Sequence, residues 1–175
     1  MERPRILVLG VGNILLRDEG VGVRVIERLQ SLYDFSSNVE LLDGGTLGLR
    51  LLDPISQTDY LIVVDAVQNG QAPGTLYRLP AEELEKRIVF KNSLHQLNLV
   101  EALAYSEILG HRPQAVIIGV EPQDISPWGM ELTAIVEARM AEMCSRVLAE
   151  IERAGGSFRP ALEAAAAGSA TASIR

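Results

Sequence analysis

Runs of apolar, mostly β-branched residues recur along the chain, ILVL at 6–9, LIVV at 61–64 and AVIIGV at 115–120, and they constrain its fold more than any other feature. A strand with one wet face alternates apolar and polar residues, whereas one that is apolar throughout must be covered on both faces. Helical patterns lie between the runs. From Gly20 to Tyr33, the residues Val21, Gly22, Val25, Ile26, Leu29, Leu32 and Tyr33 form one apolar stripe, opposite Arg24, Glu27, Arg28 and Ser31. A second helix is predicted over about 96–109, with Val100, Leu103, Ala104 and Ile108 inward. A third is predicted over about 132–154, with Ile135, Val136, Met140, Met143, Val147 and Ile151 inward, stopped by Gly155 and Gly156.

Strands are predicted at Arg5–Leu9, Asn38–Leu42, Tyr60–Val64, Thr75–Leu79 and Ala115–Val120. Elements in this order build an α/β fold, a three-layer α/β/α sandwich around a mostly parallel twisted sheet of about five strands. Thr75–Leu79 is the exception. It follows the turn signals Asn69-Gly70 and Ala72-Pro73-Gly74 with no room for a crossover helix, so it is expected to pair antiparallel at an edge. A chain of 175 residues suits one domain, spanning 1–155. The Ala-rich stretch 156–175 lacks core periodicity and is expected to be a flexible tail.

With 16 basic and 23 acidic residues the net charge is −7, which argues against the clustered cations of a nucleic-acid interface. No apolar run approaches the roughly 20 residues that span a bilayer, and MERPRILVLG leads into a glycine loop rather than a cleavage site. A cytoplasmic protein with no membrane partner is expected. The single cysteine, Cys144, excludes an internal disulfide framework and lies in a helical pattern as a buried thiol.

In open α/β sheets, ligands sit beyond the carboxyl ends of the strands. Gly10-Val11-Gly12-Asn13 follows the first run, but the loop continues into Asp18 and Glu19 instead of the third glycine of a dinucleotide fingerprint. Asp43-Gly44-Gly45-Thr46 follows the second strand, Asp65 the third, and His95 opens the second long helix. Carboxylates gathered at one rim repel each other and any phosphate unless a cation or shared protons relieve them. Two oxygen donors and an imidazole suit nickel or zinc. Each residue also has a structural reading: Asp18 or Glu19 as a helix cap, Asp43 as a turn residue, His95 as a structural histidine. Asp65 ends an apolar run, so its carboxylate is expected to be partly buried with a raised pKa. His111 reads as a solvated loop residue.

The segments ILVLGVGNILLRDEGVGVRV, LLDGGTLG, LIVVDAV and SLHQLNL, in this order and spacing, resemble the hydrogenase maturation endopeptidases from about Arg5 to Ala154. The resemblance implies an endopeptidase that removes the C-terminal extension of the large-subunit precursor of a nickel-iron hydrogenase. Nickel already installed in that precursor would be the recognition element, supplied by the substrate rather than permanently bound. The metal-contacting positions fall on Glu19, Asp65 and His95, with Asn13, Asp43, Gly44, Gly45 and Thr46 in support and Asp65 as first candidate for general base. Whether the metal polarises the scissile carbonyl, activates water or only positions the peptide stays open at this level. No helix carries two histidines around a glutamate, no Gly-x-Ser-x-Gly elbow is present, and Ser93 two residues from His95 is not a triad. The alternatives are a non-proteolytic nickel-binding chaperone and a nucleotide-binding α/β module; the resemblance implies no nucleotide. A monomer is expected, since few apolar stripes are left uncovered.

Overall fold

β1 (Ile6–Val11), β3 (Val39–Gly45), β4 (Tyr60–Ala66), β5 (Leu76–Pro80) and β6 (Gln114–Val120) form one sheet in the order β3-β1-β4-β6-β5. A computed structural model describes residues 3–45, 48–80, 82–83 and 94–161, the side chains of 48–49 and 94–100 excepted. The β1–β3, β1–β4 and β4–β6 pairs are parallel, and β5 runs antiparallel to β6 at the edge, as its short connection requires.

The apolar runs are explained by burial on both faces. Ile6, Val8, Ile62, Val64, Val116 and Ile118 point to one side, against Val25, Ile26 and Leu29 of α1 (Val21–Leu32) and a helix at 140–153. Leu7, Leu9, Leu61, Val63 and Ile117 point to the other, against Leu51, Ile55 of α2 (Leu52–Ser56), and Ala102 and Leu103 of α3 (Leu94–Ile108). Strand alternation thus feeds two cores from one continuous sequence. No helix among the described residues is long and apolar enough to cross a membrane.

Four local expectations are corrected. Ile108 is 78% exposed and Ala104 also faces solvent, while α3 packs through Ala102, Leu103 and Ser106. Ser106 tolerates burial because its hydroxyl donates to the Ala102 carbonyl at 2.9 Å. The single helix predicted over 132–154 is two, α4 (Ala134–Glu137) and α5 (Met140–Arg153), and Ile135 lies outside the core. Tyr33 leaves α1 and opens a short strand, β2 (Tyr33–Phe35). That strand pairs antiparallel with β7 (Phe158–Pro160), so the expected flexible tail begins with ordered chain. Residues 162–175 lie outside the described residues.

Candidate active site

Gly10 and Gly12 are glycines because backbone, not phosphate, approaches them. A Cβ on Gly10 would overlap the Gly22 carbonyl of α1, one on Gly22 the Val64 carbonyl of β4, and one on Gly12 the Glu19 carbonyl. Gly12 also has φ +127°, open only to a residue without a side chain. α1 therefore lies directly on β1 and β4, and the turn Arg17–Gly20 is drawn against β4. Asn13 builds the entry: its carboxamide oxygen accepts the Leu15 amide at 3.0 Å, and its carbonyl accepts the Leu16 amide at 3.0 Å. Both bonds are those of a turn.

Asp18 and Glu19 divide. Asp18 is fully buried and caps neither the turn nor α1, contrary to the sequence expectation for one of the pair. Its Oδ1 accepts the Thr133 amide at 2.7 Å. Its Oδ2 accepts the amides of Gln123 at 2.9 Å and Asp124 at 3.0 Å, and the Thr133 hydroxyl at 2.9 Å. Glu19 does not cap either helix; its Oε2 is enclosed by protein beside the carboxyl edge of the sheet.

Asp65, next to last in β4, is 5% exposed, and its Oδ1 accepts the amide of Ala66 at 2.8 Å. The expected burial of this carboxylate is present. Asp43 stands opposite Gly10 on the edge strand β3 and is exposed. Gly44 lies over Leu9, and Gly45, at φ +41°, accepts the Gly12 amide at 3.1 Å, tying the ends of β3 and β1 together. Thr46 lies outside the described residues. His95 is the second residue of α3, and its side chain lies outside them too. α3 packs against the turn Gly48–Leu51 that follows β3 and leads into the start of β6. Among the described residues, no three His, Cys, Asp or Glu side chains form a group able to hold a metal ion.

A further carboxylate on this rim escaped the sequence reading. Glu121 follows β6, is buried, and accepts the Asn69 amide at 2.9 Å, the Gly70 amide at 3.0 Å and the Tyr77 hydroxyl. Burial pulls its pKa upward, but the hydroxyl and the amides outweigh it and hold the carboxyl below the usual range. The clue was available: Glu121 ends the run AVIIGV as Asp65 ends LIVV. Its partners hold the turn that follows Asp65.

His111 is at the opposite edge, its Nε2 2.6 Å from the Thr58 carbonyl oxygen. Cys144 is buried, and burial pushes its thiol up, away from the reactive thiolate.

Against known proteins, the family model described as hydrogenase maturation protease matches residues 23–150. The chain is 46% identical over 135 residues to the hydrogenase expression/formation protein HupD of Rhizobium leguminosarum bv. viciae, covering 76% of this chain and 67% of that one. It is 42% identical over 153 residues to the hydrogenase 2 maturation protease of Escherichia coli, covering 86% and 93%. The structure of the hydrogenase maturating endopeptidase HybD from E. coli superposes with a TM-score of 0.85 at 41% identity, covering 89% of this chain and 97% of the other.

Proposed function

Because the chain belongs to the hydrogenase maturation protease family and is an endopeptidase of the large-subunit precursor, we propose that it recognises nickel carried by that precursor, through Glu19, Asp65 and His95. The nickel is substrate cargo. Two carboxylates and an imidazole match its donor preference and leave coordination positions for the precursor's own ligands. The observation that carries the reading is the buried carboxylate of Asp65 at the carboxyl end of a central strand, beside the turn that bears Glu19. A carboxylate taken out of water is costly unless a cation, a proton or donors compensate it.

In this reading Asp65 is the general base. It accepts a proton from the attacking water as the oxygen bonds to the scissile carbonyl carbon. The C–N bond then breaks, and the proton passes to the leaving amine, giving a new carboxylate and a released C-terminal peptide. The buried thiol of Cys144 fits work in a reducing cytoplasm. Neither alternative gains support: protein backbone fills the space beside Gly10 and Gly12, and the relatives are proteases rather than chaperones.

The test is to mix the protein with large-subunit precursor, nickel-loaded or nickel-free, and weigh the product by mass spectrometry. Cleavage of the loaded form alone is expected, with Glu19→Gln, Asp65→Asn and His95→Ala each slower by about a hundredfold or more. Equal cleavage of both precursors removes nickel recognition, and wild-type rates in the variants remove these residues from the site.

A further inference from the structure

We infer that Asp18 is a positioning residue, locking the segment 122–133 onto the turn that carries Glu19 so that both act as one rigid unit. The inference rests on the reading that Glu19 belongs to the active site.

Burying a carboxylate is expensive unless donors satisfy it, and Asp18 reaches 105 to 115 residues along the chain to its donors. Four bonds from three residues satisfy it, two from backbone amides of the segment's start and two from Thr133 at its end. The same two stretches are stitched again by their backbones. The Arg17 amide donates to Gly129 at 2.7 Å, the Asp18 amide to Asp124 at 3.1 Å and the Trp128 amide to Leu15 at 3.0 Å. Arg17 also pairs with the Asp124 carboxylate at 3.4 Å.

Two non-glycine residues in this contact, Arg17 at φ +52° and Trp128 at φ +69°, adopt left-handed backbone. Such conformations persist where the surroundings over-determine them. On its other side the Glu19 carbonyl is pressed against Gly12. Glu19 thus stands in a turn held between the end of β1 and the segment 122–133. That segment leaves β6 at the carboxyl edge and exposes Trp128 to 87% and Met130 to 55%, beside Leu15 at 44%. Releasing the Asp18 bonds would free this wall and the Glu19 turn together.

Trp128 is the only tryptophan in the chain, so its fluorescence anisotropy reports on the segment. Asp18→Asn keeps the shape but presents an amide NH2 to a ring of donors. The expected result is lower Trp128 anisotropy and a kcat for precursor cleavage reduced about tenfold or more, with KM changed less than about threefold. Measurements belong at a temperature where circular dichroism shows the variant fully folded. Unchanged kcat, whether or not anisotropy falls, overturns the inference. If Asp18→Asn does not fold, Thr133→Val removes one donor and decides instead. A kcat lowered about threefold with reduced anisotropy supports the lock, and wild-type kcat overturns it. Glu19→Gln separates the premises: if it cleaves at the wild-type rate, the site assignment and the positioning role both fall. If it is slow while the Asp18 and Thr133 variants are not, only the positioning role falls.

Discussion

The rings of Tyr33 and Phe158 meet edge to face, their centroids 5.3 Å apart and their planes at 84°. The contact joins the end of α1 to the chain that follows α5, and Phe35 packs beside both rings. Phe158→Ala should cost about 1–3 kcal/mol, from the aromatic contact and lost apolar burial. For a domain of this size that lowers Tm by about 2–4 °C per kcal/mol, readable by calorimetry. Cleavage by the folded variant should be unchanged, since β2 and β7 lie away from the carboxyl edge of the main sheet. An unshifted Tm would show that β7 contributes nothing.

Glu150 should make stability pH-dependent. It is buried; burial raises its pKa, but Arg78 at 2.7 Å, the Tyr60 hydroxyl at 3.1 Å and Arg153 outweigh that and hold it below its ordinary value. A depressed folded value means stability that is present above the ordinary carboxylate pKa and lost as pH falls through the folded value. Glu150→Gln should therefore be less stable than wild type by about 1–3 kcal/mol at pH 7, with the gap closing in acid. A gap constant with pH in urea titrations would exclude the ionised carboxylate as its source.

Gly12 and Gly70 both have positive φ, but only Gly12 faces neighbours that a methyl group would strike. Gly70→Ala should cost about 1–2 kcal/mol, for left-handed backbone alone. Gly12→Ala should cost more than that and also slow precursor cleavage, because the new methyl pushes the Glu19 turn away. Equal melting temperatures for the two variants would contradict the close approach of Glu19 to Gly12.

The two histidines form an internal comparison. His111 bonds to Thr58 at the opposite edge, so His111→Ala should leave cleavage at the wild-type rate and cost about 1 kcal/mol or less in stability. His95→Ala should abolish cleavage while circular dichroism shows an intact fold. Equal activity in the two variants would remove His95 from the mechanism.

What was legible in the sequence was whatever repeats with a period or sits at a strand end. Continuous apolar runs revealed a sheet covered on both faces, and a connection too short for a helix revealed the antiparallel edge strand. Asp65 was recognisable as a buried carboxylate because an apolar run leads straight into it. Periodicity was weaker for α3, where NLVEALAYSEIL is apolar on several faces and the sheet, not the pattern, chose Leu103 over Ile108.

The tertiary structure alone decided what Asp18, Gly12 and Phe158 do. An aspartate at the start of a helix looks the same in sequence whether it caps that helix or binds a segment more than a hundred residues away. A glycine after a strand looks the same whether phosphate or the Glu19 carbonyl lies against it. Hydrogen bonds and close contacts across such separations leave no period in the chain, because they depend on where the packed sheet and helices bring distant residues together.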